Sequence, residues 1–297
     1  MKTLRRLALA TDFAALATVM LGSWTRINGA GMTCPDWPLC HGRVIPSLAN
    51  GTLWEWLHRL LAFCVAPLVI AVVAVAWRHR RESPFLAPTV AVIVALFVAQ
   101  VAFGAATVHL DNTPVSVVVH WGTAMAFIAA ISALAIFAAA MPSPAASVPA
   151  LGGILFGTAA LAFVTMCVGA YVSSSGAGLA CLSIPGCAGN VVVVTQGQYV
   201  QMLHRFLAGG TLLCAAGSLA LAWVRPVSQR VRLAVATGGA LVCVQVLLGL
   251  LNVALRLPTD LREAHAINAA LVFLAFVIAT VFAVVDGVPS ASAVRAS

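Results

Sequence analysis

The chain has 297 residues, 62% of them hydrophobic and 8% charged. An ordinary soluble domain is about 25% charged, so the composition excludes a water-covered globule and leaves an integral membrane protein. The net charge of +8 is dispersed between apolar runs instead of gathered into a patch, so no nucleic-acid partner is expected.

The first apolar run covers 7–24, behind Lys2, Arg5 and Arg6. It is long and is followed by no clean A-x-A-like site, so it reads as an uncleaved span, not a signal peptide. Further runs follow at 52–77, 86–107, 115–141, 151–172, 198–223, 232–255 and 262–285. Each is about 18 residues or more, enough for a helix to cross a hydrocarbon core of about 30 Å. The predicted fold is an all-α integral membrane protein of eight transmembrane helices embedded in a lipid bilayer, with no room for a soluble domain.

Charge sets the predicted topology. Ten of the sixteen Lys and Arg fall on one side of alternating spans: Lys2, Arg5, Arg6, Arg78, Arg80, Arg81, Arg225, Arg230, Arg232 and Arg295. The positive-inside rule puts that side, with both termini, in the cytoplasm of a multi-pass protein of the cell (inner) membrane.

The loop after span one reads GSWTRINGAGMTCPDWPLCHG (22–42), and the loop after span five reads GAYVSSSGAGLACLSIPGCAG (169–189). They align without a gap at an offset of 147, pairing Cys34 with Cys181 and Cys40 with Cys187. His58-Arg59 matches His204-Arg205, and His120 matches His265. Each half therefore carries a span, a cysteine loop, a span with His-Arg, a span, and a span with His. A four-span repeat has an even number of crossings, so both copies face the same way about a pseudo-two-fold axis along the membrane normal. Two four-helix bundles are expected, 1–143 and 150–297, joined by a linker at 144–149 within MPSPAASVPA (141–150).

Both cysteine loops are expected outside, where disulfides persist. Cys34 with Cys40, and Cys181 with Cys187, are close enough in sequence to pair within a loop. A structural disulfide, a redox-active pair and a metal site all stay open, the last being weakest because no further Cys/His set completes a zinc site. Cys64, Cys167, Cys214 and Cys243 sit inside apolar spans as small hydrophobes. His41, His79 and His109 lie in loops or at span ends and read as solvated.

The other four histidines, His58, His120, His204 and His265, lie within even-numbered spans, all a few residues below the outer end. Ionisable groups at such depth are costly and mark function. Two imidazoles facing one another across a bundle form an axial pair for haem iron, and bundle cores hold such cofactors. The halves differ at one position: Glu55, three residues before His58, aligns with Gln201, three before His204. A carboxylate on the same helix face as a haem ligand can act as a base towards the ring edge, so acid–base chemistry is expected in the first half alone. The competing expectation is an ion pair of Glu55 with Arg26, Arg43 or Arg59. Arg59 and Arg205 are candidate partners of haem propionates.

TRINGAGMTCPDWPLCHG, followed by EWLHR and by His120, His204 and His265 in even spans, resembles the haem A synthases over essentially the whole chain, in their subgroup with four loop cysteines. The resemblance implies an oxidoreductase acting on CH or CH2 groups. It implies that the C8 methyl of haem O is oxidised to a formyl group by successive hydroxylations with water as oxygen source, giving haem A for cytochrome oxidase. It also implies haem O as substrate on His58 and His120, haem b as cofactor on His204 and His265, and Glu55 as the catalytic acid residue. Cys34 and Cys40 would be the catalytically relevant loop pair, with Cys181 and Cys187 as the second pair. Implied partners are a haem O synthase and an electron acceptor. The same residues admit an alternative, a bis-histidine di-haem electron-transfer cytochrome that modifies no haem. A transporter fits less well, because the histidines are shallow and the spans continuous.

Overall fold

The computed structural model describes residues 1–139, 149–187, 189 and 193–287. Among these there is no strand, and the chain forms α1 (Lys2–Ile27), α2 (Thr52–Arg78), α3 (Leu86–His109), α4 (Pro114–Phe137), α5 (Pro149–Ser174), α6 (Gln196–Val224), α7 (Gln229–Ala254) and α8 (Thr259–Asp286). All eight helices are long and apolar enough to cross a membrane, which bears out the expected fold class. The expected linker at 144–149 lies outside the described residues except for Pro149, where α5 begins.

Side-chain placement is that of a protein solvated by hydrocarbon. Phe63 on α2 is 76% exposed and Leu213 on α6 is 74% exposed, whereas Thr11, Thr18, Thr158 and Ser218 are buried. Apolar side chains face lipid at no cost, while polar ones need partners inside the protein. They have them: Thr11 and Thr18 each donate to the carbonyl four residues earlier at 2.8 Å.

The chain packs as two compact units. The first comprises Met1–Ala138 with Ala170–Gly176 and Pro258–Ala266; the second holds the described residues within Ala139–Gly169, Ala177–Leu257 and Ile267–Ser297. In the first, α1 packs on α2 and α4, and α3 packs on α4 and α2. In the second, α5 meets α6 through Thr158–Ser218 and Thr165–Thr211 hydroxyl pairs at 3.1 and 2.9 Å. There α6 packs on α7, Asn268 of α8 donates to Leu241 O of α7 at 2.9 Å, and Phe273 of α8 meets Phe163 of α5.

The turns repeat as closely as the helices. Asp111 and Asn112 after α3 are both left-handed, as are Arg256 and Leu257 after α7. In the first unit Asn112 donates to Gly31 O of the cysteine loop at 2.8 Å. In the second, a Cβ on Gly178 would lie 2.7 Å from Leu257 Cδ1, so the matching turn again sits against the matching glycine. Gly29, Gly42, Gly176 and Gly189 take positive φ, the region that glycine enters without steric cost.

Candidate functional site

Cys34 and Cys40 form a disulfide with Cα atoms 4.7 Å apart, and Cys181 and Cys187 form another with Cα atoms 4.5 Å apart. Of the alternatives left open by spacing, disulfide pairing is what the geometry holds. Cys64, Cys167, Cys214 and Cys243 are unpaired.

The first loop folds down onto the start of α2. Glu55 is buried there. Its Oε2 accepts from Cys34 N and from Thr33 Oγ1, both at 2.9 Å, and its Oε1 accepts from Arg59 at 2.7 Å. Arg59 also donates to Cys34 O at 3.0 Å and to Asp36 O and Leu39 O at 2.5 Å. Of the three arginines weighed as partners, the ion pair is therefore with Arg59, one helical turn below Glu55, while Arg26 donates to Ser173 Oγ. Arg59 thus ties Glu55 to three loop carbonyls, because α2 runs directly beneath them.

Within that loop Asp36 accepts from His41 N at 2.6 Å and from Gly42 N at 2.8 Å. The Gly42 amide, with that of His41, holds the Asp36 carboxyl below its ordinary value. His41 is exposed, and its Nε2 lies 2.9 Å from Thr33 O. A carbonyl only accepts, so Nε2 carries the proton and Nδ1 keeps its lone pair.

The second unit repeats the clamp without the acid. Gln201 Oε1 accepts from Cys181 N at 2.5 Å, and its Nε2 donates to Gly178 O at 2.7 Å. Arg205 donates to Cys181 O, Ser183 O and Gly186 O, each at 2.7 Å. Glu55 and Gln201 thus share one mechanical task.

The histidines sit below the loops. His58, His120 and His265 lie six residues past the first residue of their helices, and His204 lies eight past that of α6. His204 is the deeper by count because the Thr195–Gln198 capping box starts α6 before its apolar run. His58 Nδ1 donates to Thr18 O at 2.9 Å, and His204 Nδ1 donates to Thr165 O at 3.1 Å. Each bond fixes the ring and leaves Nε2 as the nitrogen with the lone pair. His120 lies on α4, six residues past Pro114. Its Nε2 faces the Gln100 amide at 3.4 Å, and its Nδ1 is buried with no hydrogen-bond partner among the described residues. His265 lies within Pro258–Ala266, the part of α8 that belongs to the first unit.

Residues 5–277 match the family described as cytochrome oxidase assembly protein. The chain belongs to that family. It is 29% identical over 234 residues to a haem A synthase of Bacillus licheniformis, covering 75% of this chain and 74% of that one. With a haem A synthase of Shouchella clausii it shares 34% identity over 221 residues, 70% and 72% of the two chains. With one of Geobacillus kaustophilus it shares 30% over 228 residues, 73% and 71%.

A haem would need imidazoles presenting a nitrogen lone pair; in the first unit His58 Nε2 keeps its own, while His120 Nε2 lies beside the Gln100 amide, which would have to turn aside. A Cβ on Gly22 would lie 2.6 Å from His58 Cε1, and one on Gly104 would lie 3.1 Å from His120 Cε1. Gly169 stands in the same way 2.8 Å from His204 Cε1. The rings of His58, His120 and His204 are therefore seated against bare backbone. Sequence reading missed Thr18, Gly22, Gly104 and Gln100. The offset of 147 already pairs Thr18 with Thr165 and Gly22 with Gly169; carried into the spans, it would have found two of them.

Proposed function

We propose that this chain is a haem A synthase, oxidising the C8 methyl of haem O to a formyl group by successive hydroxylations with water as oxygen source. The observation that carries this is the arrangement on α2. Glu55, a buried carboxylate, stands one turn above His58, whose Nδ1–H is tied to Thr18 O. The names of the relatives supply the reaction, and the site supplies residues suited to it.

In this reading His58 and His120 hold the substrate haem O in the N-terminal half. Glu55 takes protons released as water is consumed. Arg59 keeps Glu55 and the cysteine loop in register, and the Cys34–Cys40 disulfide closes that loop. The sequence repeat carries a haem-ligand role to His204 and, separately, to His265, for a haem b that would supply electron-transfer chemistry when bound. Arg205 and Cys181–Cys187 brace the second loop. Both termini are assigned to the cytoplasm of a cell-membrane protein and both loops to the opposite side, arranged as two repeat-related four-helix halves. An electron acceptor and a haem O synthase are the proposed partners.

One observation favours a second reading. Gln201 makes the same contact to Cys181 N that Glu55 makes to Cys34 N, as though both were braces in an electron-transfer cytochrome. The same likeness makes Glu55→Gln a clean test, since an amide demonstrably fits the clamp. Co-expressed with a haem O source, the E55Q protein should retain bound haem but lose haem A at least tenfold, measured by extraction and mass. Full haem A production by E55Q would sink the acid–base role and leave the cytochrome.

A further inference from the structure

The brace explains Glu55 and Gln201 equally, so it does not explain what else differs between the two loops. Along the alignment Thr33 faces Ala180, and His41 faces Ala188. Asp36 faces Ser183, which preserves the bracing contact: Ser183 Oγ accepts from Gly189 N at 2.9 Å as Asp36 accepts from Gly42 N. Mechanical contacts are thus kept in both loops. Thr33 and His41, which can pass or take a proton on the Glu55 side, are both replaced by alanine in the second.

Thr33 is the link between buried and wet. Glu55 is buried, Thr33 is half-buried and His41 is exposed. The Thr33 hydroxyl has two acceptors within reach, Glu55 Oε2 at 2.9 Å and Ala30 O at 3.0 Å, but one proton to give. With Glu55 ionised, the hydroxyl donates to the carboxylate. With Glu55 protonated, it turns to Ala30 O and offers its lone pair to the acid. A group with these two settings matches both protonation states of its neighbour.

We propose that Thr33 carries protons between Glu55 and the aqueous face of the first cysteine loop, with His41 as their first side-chain acceptor there. Resting on the acid–base role proposed for Glu55, this names the exit that such a role requires, because every hydroxylation by water releases protons that a buried carboxylate must pass on. The transfer is balanced without redox change. The Thr33 hydroxyl first turns from Ala30 O to a water at the half-buried edge; its proton then passes to that water as the Glu55 O–H bond breaks and an O–H bond forms at Thr33 Oγ1. From there His41 Nδ1 takes it; Nε2–H, held by Thr33 O, keeps the ring over that edge.

The test uses the full-length protein in lipid discs, at a pH where Glu55 is protonated. Infrared spectroscopy identifies its carboxyl band by loss of that band in E55Q, and transfer to D2O gives its exchange rate. Thr33→Val should slow exchange at least tenfold, Thr33→Ser should exchange like wild type, and His41→Ala should slow it severalfold, reversed by added imidazole. A loosened loop would accelerate exchange, so a brace and a relay move the rate in opposite directions. Wild-type or faster exchange in T33V overturns the route, and wild-type exchange in H41A overturns the place of His41 in it. Haem A formation by E55Q would instead overturn the acid–base role, whatever these rates are.

Discussion

Asp36 shows how one side chain holds a loop that has little core of its own. Its two oxygens take the amides of Gly42 and His41, and Gly42 first among them keeps the carboxyl below its ordinary value of 3.8. A carboxyl with a folded value below its unfolded one contributes stability that is fully present above the unfolded value. That contribution is lost as pH falls from 3.8 through the folded value. Hydrogen exchange at the His41 and Gly42 amides, taken relative to intrinsic rates, should therefore accelerate on acidification below 3.8. Asp36→Asn should show the faster exchange already at neutral pH and lose the acid dependence. Equal protection in D36N and wild type would mean that the disulfide alone holds the loop. Residues of this kind were only half legible. Glu55, Arg59 and the four cysteines stood out by type and spacing, because charge in an apolar chain is conspicuous. That Arg59 spends its donors on Cys34, Asp36 and Leu39 carbonyls was not legible, since the path of an irregular loop is fixed by contacts about twenty residues apart in sequence.

At the scale of helices the sequence was more informative, because bilayer thickness sets helix length and composition alone finds the spans. What composition does not find is where one helix must come closest to another. Gly22 of α1 meets the His58 ring of α2, so Gly22→Ala sets two terms against each other. Removing a helix-interior glycine gains about 1 kcal/mol, whereas forcing a methyl into a filled space costs about 1–3 kcal/mol. At 2.6 Å from Cε1, 3.0 Å from Nδ1 and 3.2 Å from Nε2, the methyl displaces the whole ring, so the cost wins and the bond to Thr18 O goes with it. Gly209 of α6 has nothing within 4 Å of its added Cβ, so Gly209→Ala should stabilise by up to about 1 kcal/mol. Thermal unfolding in detergent should order the variants as G209A above wild type and G22A below, with haem content falling in G22A alone. Haem retained at wild-type level in G22A would place the ligand-binding nitrogen elsewhere than on His58.

At the scale of the molecule, the proposed sidedness rests on where the arginines sit in the sequence. Along the sequence ten Lys and Arg fall on one side of alternating spans and six on the other, and each Lys or Arg near a span end resists transfer across the bilayer. Both cysteine loops follow odd-numbered helices, α1 and α5, so strict alternation of the spans predicts one side for both. The charge bias predicts the non-cytoplasmic one, the side on which disulfides such as Cys34–Cys40 and Cys181–Cys187 persist. Right-side-out membrane vesicles separate these statements. A membrane-impermeant maleimide should label none of Cys34, Cys40, Cys181 and Cys187 at first, and all four after an impermeant reductant. Labelling of one pair without the other would break the shared side and with it the even-numbered repeat. Labelling of both only after the vesicles are opened would keep the repeat and reverse the topology, placing the mouth of the Thr33 route on the opposite face of the membrane.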